Sequence, residues 1–222
     1  MDLTFTLADL TATSTCELRL YTELQERAQK QSAHPAPEKS ERAREVYREC
    51  LRVLTEGGVV GAGMVGGERT DGTARPVPLV ATSAAGLTYT VELDRLEHPA
   101  ADSTAQIICT PHLSEAAHRA LLRGALVAHL LTAGATESAT ESAKNAVRLD
   151  LCLDHGAEPE PEHTEHHSPT GQPHRVDSAR ILPLIHLQEQ RLLLLTEALN
   201  EGVEPAELAE RIPYFLTCDE CP

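Results

Sequence analysis

The sequence predicts an α+β fold: a small, mostly antiparallel sheet, an N-terminal helical hairpin, one buried central helix and a C-terminal helical segment. Three observations carry this expectation. Apolar residues recur every three to four positions over residues 15–55, they alternate over much of 58–110, and the stretch 115–133 is apolar nearly all round. A chain of 222 residues with 41% hydrophobic content suffices for one real core. With two Phe, four Tyr and no Trp, that core must be built from Leu, Val, Ile and Ala.

Taken in order, Leu3, Phe5 and Leu7 alternate with Thr4 and Thr6, so residues 2–8 read as a short amphipathic strand. Ser14-Thr15-Cys16-Glu17 has capping-box spacing, and a helix is expected from near Thr15 to Gln31, with Leu20, Tyr21, Leu24 and Ala28 on one stripe. The stretch 32–37, with Pro35 and Pro37, breaks it. A second helix is expected from Glu38 to Thr55, bearing Ala43, Val46, Tyr47, Cys50, Val53 and Leu54, and Gly57-Gly58 ends it. The two helices are expected to form the hairpin, with Cys16 and Cys50 toward the same end as reduced core thiols.

The alternations Val77/Leu79/Ala81 and Leu87/Tyr89/Val91/Leu93 flank Ser83-Ala84-Ala85-Gly86, a hairpin signature. Gln106–Cys109 reads as a buried strand. Ser114 is a helix cap, and the following helix should close at Gly134. Val147, Leu149, Leu151 and Leu153 alternate as another strand. Residues 154–178 hold Pro159, Pro161, Pro169, Pro173 and five His, and read as a long, mobile, acidic His/Pro-rich loop. Leu184–Asn200 is an apolar helix stopped by Gly202, and Pro205 opens a last short helix. The expected organisation is a core domain over 1–153, the loop 154–178, and C-terminal helices with a Cys-x-x-Cys tail over 179–222, packing on the core.

The charge is −15, and fourteen acidic residues face four arginines within 154–222. Direct nucleic-acid binding is not expected, because neither a basic face nor stacking aromatics are at hand. No apolar run approaches the roughly 18 residues of a membrane span. An early acid and no cationic start speak against a signal peptide, so the expected location is cytoplasmic. Six Cys in such a chain suggest reduced thiols or a metal site rather than a disulfide framework.

Gly61-Ala62-Gly63-Met64-Val65-Gly66 matches the dinucleotide fingerprint, but residues 67–76 cannot form the helix that fingerprint requires, so no nucleotide cofactor is expected. A glycine-rich strand or turn at a close backbone approach is the alternative. Cys152-x-x-His155 and Cys218-x-x-Cys221 both have zinc-knuckle spacing, and together they would make a Cys3His site. His163, His166 and His167, with Glu165 between them, offer a second donor cluster on the loop. His118 and His129, eleven positions apart, share a helical face, and with His112 or His186 they could hold a metal inside the fold. No acid lies in that apolar stretch to complete a hydrolytic site, so core or interface histidines are the favoured reading. The expectation is a non-catalytic accessory or adaptor subunit acting through protein contacts or self-association, with zinc as the candidate cofactor. A basic partner would meet 154–222. The alternatives are a metal-dependent hydrolase using loop or helix histidines, and an acidic mimic of nucleic acid.

Overall fold

A computed structural model describes residues 3–31, 38–61, 76–99, 104–111, 116–138, 149–153 and 174–211. It has the α+β class expected, with two small mixed sheets and six helices among the described residues. One sheet has the strand order β1-β4-β3, from β1 (Thr4–Phe5), β3 (Val77–Thr82) and β4 (Thr88–Leu93). The other runs β2-β5-β6-β7-β8, from β2 (Gly58–Gly61), β5 (Arg95–His98), β6 (Ala105–Cys109), β7 (Leu149–Leu153) and β8 (His174–Asp177). Pairing is antiparallel except at β1–β4 and β6–β7.

The chain passes from one sheet to the other at Asp94, between β4 and β5. A clasp fixes that corner. The Asp94 carboxylate accepts from the Thr110 amide at 2.9 Å and from the Arg123 guanidinium at 2.7 Å, and Arg123 also donates to the Thr110 carbonyl. Gly61 approaches the same corner, where a Cβ would sit 2.6 Å from the Asp94 carbonyl oxygen. The close-approach reading of the glycine-rich stretch thus has its reason at Gly61; Gly63 and Gly66 lie outside the described residues.

The start of the chain differs from its expected form. Only Thr4–Phe5 is strand, and α1 (Leu7–Ala12) follows at once. Thr6 and Asp9 exchange the two hydrogen bonds of a capping box, which outweighs the Leu3/Phe5/Leu7 alternation. Asp9 also accepts a two-pronged bond from Arg27 on α2 (Glu17–Gln31). Ser14 and Thr15 turn their hydroxyls back to the carbonyls of Thr11 and Ala12. Helix α2 packs on α1, α5 (Leu182–Asn200) and α6 (Pro205–Arg211), while α3 (Glu38–Glu56) packs on β2, β3 and β5. The two N-terminal helices follow one another as expected, but each finds its main neighbours elsewhere. Cys16 and Cys50 are buried and form no disulfide. The Tyr21 hydroxyl donates to the Val203 carbonyl at 2.6 Å and so joins α2 to the far end of the chain.

The hairpin at Ser83–Leu87 forms as the sequence predicts, with Gly86 at positive φ. Helix α4 (Ala117–Ser138) is the buried central helix: Arg123 through Leu131 are all closed from solvent, and β4, β6, β7, α3 and α5 surround it. It does not stop at Gly134 but runs through it. Gly134 is a packing residue there, because a Cβ would collide with the Tyr47 hydroxyl, which itself donates to the Leu130 carbonyl. The final residues of the stretch expected as a loop, 174–177, pair with β7, and a single 3-10 turn at Ser178–Arg180 leads into α5. Helix α5 ends at Gly202 in a positive-φ conformation, and Pro205 opens α6, both as expected.

A candidate metal centre between two helices

The residues that converge come from two helices packed on each other, α4 and α5. His129 lies in the middle of α4, and His186 and Glu189 lie three positions apart on α5, so both face the neighbouring helix. His129 Nε2 donates to Glu189 Oε2 at 3.0 Å, and both residues are buried, at 4% and 2% exposure. The His186 ring stands edge-on to His129 with centroids 4.6 Å apart and is exposed. One donor atom from each of His129, His186 and Glu189 lies within 4.8 Å of the others, so this group could hold a metal ion. Zinc bonds of about 2.0–2.2 Å place the donors of one ion about 3.3 Å apart. The His129–Glu189 pair is already near that spacing, and the exposed His186 ring has room to adjust.

Behind the carboxylate stand two hydroxyls, Ser83 at the hairpin end and Tyr89 on β4. Burial pushes the Glu189 carboxyl up, but the His129 imidazole and the Ser83 and Tyr89 hydroxyls together hold it below its ordinary value. Burial, reinforced by the Glu189 charge, pushes the Tyr89 phenol well above its ordinary range. Ser83 Oγ, Tyr89 Oη and Glu189 Oε1 are nevertheless buried without a hydrogen bond of normal geometry. Orphaned buried polar atoms cost about 1–3 kcal/mol each, so their gathering at one carboxylate is a costly arrangement.

The expected sites fare differently. Cys152 is buried on β7, with its thiol on Gln106 Oε1 at 3.6 Å and pushed up from its ordinary value mainly by burial. Its three proposed companions, His155, Cys218 and Cys221, lie outside the described residues, as do His163, His166, His167 and His112. The pairing of His118 with His129 does not hold. They share a face, but eleven residues along a helix span about 16 Å, and His118 is exposed near the start of α4 while His129 is buried. The residue missed in the sequence was Glu189. The acid that completes the group comes from a second helix, and His186-x-x-Glu189 on an apolar helix is the signal that marks it.

No protein-family model, curated protein or solved structure matches the chain. Among the described residues no helix is long and apolar enough to cross a membrane.

Proposed function

We propose that this protein binds one divalent transition-metal ion, zinc in the first instance, through His129, His186 and Glu189. The single observation that supports the reading is the convergence of two imidazoles and a carboxylate from two helices within 4.8 Å. Two nitrogens and one oxygen suit zinc, whereas calcium and magnesium favour sets made wholly of oxygen. The ion would take the place of the proton that His129 Nε2 now gives to Glu189, so binding would weaken in acid. Because α4 is the centre of the core and α5 its outer cover, the ion would act as a staple between them. Elemental analysis of protein purified without a histidine tag tests this. The expected result is one ion per chain, lost in His186→Ala and Glu189→Gln but kept in His166→Ala. An ion lost in His166→Ala or Cys218→Ala instead would move the site to the loop or the tail, and no ion in any preparation would end the metal reading.

A non-catalytic accessory role through protein contacts is a second reading, favoured by a different observation. Leu184, Leu187 and Leu194 on α5 are exposed, Leu187 at 59%. Their helix ends in a strongly acidic stretch, where a partner with a basic rim would complement the charge. Light scattering at high concentration checks for self-association. A monodisperse monomer whose behaviour is unchanged by Leu187→Asp, and which retains no basic partner protein in pulldown, would remove this reading.

A further inference from the structure

We propose that Ser83 and Tyr89 are positioning residues for a metal ion at this centre, donating their hydroxyls to Glu189 Oε1 while Oε2 and the two imidazoles face the ion. This rests on the metal reading above and concerns a different pair of residues. Ligating carboxylates are as a rule held by hydrogen bonds from behind, and those outer partners tune affinity by about 10–100-fold. Here the carboxylate has two faces. Oε2 is turned to His129 at 3.0 Å. Oε1, Ser83 Oγ and Tyr89 Oη each lack a hydrogen bond of normal geometry.

Both hydroxyls are close enough to Glu189 to stabilise its charge, and Tyr89 is fully buried, so its hydroxyl has no solvent to turn to. Ser83 begins the turn after β3 and Tyr89 lies near the start of β4, on the two arms of one hairpin, and both side chains reach Glu189. The hydroxyl hydrogens turn about their C–O bonds, and a small adjustment of the Ser83 and Glu189 side chains would bring both hydroxyls onto Oε1 without moving the backbone. Three orphaned atoms then become two hydrogen bonds. The carboxylate is fixed in the single-oxygen mode that leaves a tetrahedral ion one further open position.

The test compares zinc affinity, read by competition with a chromophoric chelator, with the thermal stability of the metal-free protein. Tyr89→Phe and Ser83→Ala are each expected to weaken zinc binding about 10–100-fold. They should leave the metal-free melting temperature unchanged or raise it, since each removes an orphaned buried hydroxyl. Ser83→Thr keeps a hydroxyl and is expected to retain affinity within a few-fold. Cobalt(II) loaded in place of zinc gives a visible band whose position should shift in Tyr89→Phe. If wild-type protein binds zinc at this centre and both hydroxyl deletions bind it equally well with an unshifted cobalt band, the positioning role is overturned while the metal site stands. Wild-type protein that binds neither zinc nor cobalt overturns both. Should Tyr89→Phe fail to fold, the Ser83→Ala and Ser83→Thr pair decides.

Discussion

Gly124 shows how much one missing side chain can matter. It lies where α4 crosses β6, and a Cβ there would drive into the Cys109 sulfur, with Leu151 close behind. Gly124→Ala is expected to cost about 1–3 kcal/mol by overpacking. Adding Cys109→Ala should recover part of that loss, as measured by urea unfolding of the single and double variants. Cys50 gives a prediction of another kind. Burial, with a smaller contribution from the Glu49 charge, pushes its thiol up from about 9 to about 12. Below pH 9 the thiol is neutral in both folded and unfolded chains, and its contribution to stability is intact. Above pH 9 the unfolded chain ionises first, so stability falls by about 1.4 kcal/mol per pH unit until the folded value is reached. Denaturant midpoints measured from pH 8 to 10.5 should fall over this range, and Cys50→Ala should make the fall shallower. The native thiol should also resist a thiol-specific reagent that modifies it readily in urea.

At the scale of elements, α1 depends on its cap more than on its length. Six residues cannot sustain a helix on propensity alone. Thr6→Ala removes the side chain that accepts from the Asp9 amide and is expected to cost about 1 kcal/mol. Asp9→Ala should cost more, since it also strips Arg27 of its carboxylate. The same element shows where the sequence misled. Leu3, Phe5 and Leu7 alternate convincingly, yet Thr6-x-x-Asp9 is a stronger local instruction, and reading period before capping misplaced the boundary. Gly134 misled in the opposite direction. Glycine ends helices by default, but this one is held inside α4 because Tyr47 lies against it. The hairpin, the central helix, β7 and both C-terminal helices were legible because period, turn chemistry and stop residues agreed. The candidate metal centre was only half legible. Its imidazoles were visible in the sequence, but their meeting with Glu189 is a tertiary fact between helices 60 positions apart.

For the whole molecule, the clasp at Asp94 decides how two small sheets become one core. Asp94 and Arg123 are both largely buried, at 11% and 7% side-chain exposure, and breaking such a pair from one side costs about 3–5 kcal/mol. Arg123→Met alone is therefore expected to lower stability by that amount. Asp94→Leu combined with Arg123→Met should cost less than the two single changes added, because the double variant leaves no buried charge behind. Calorimetry on the three variants measures this coupling. The charge of −15 is concentrated in the last third of the chain, and the described part of that third carries Glu197, Glu201, Glu204, Glu207 and Glu210 in close succession. Salt is expected to affect association there more than it affects the packing of the core.

The bond from Tyr21 to Val203 connects residues 182 positions apart. A chain emerging from the ribosome makes α2 early and then has only the short α1 to lay it against until α5 and α6 are synthesised. Its apolar stripe of Leu20, Tyr21 and Leu24 stays uncovered through most of translation. Closure of the core is a late, long-range event of the kind that slows folding. A nascent chain stalled short of residue 203 should therefore remain open to protease within α2, and release of the last helices should close it in one step.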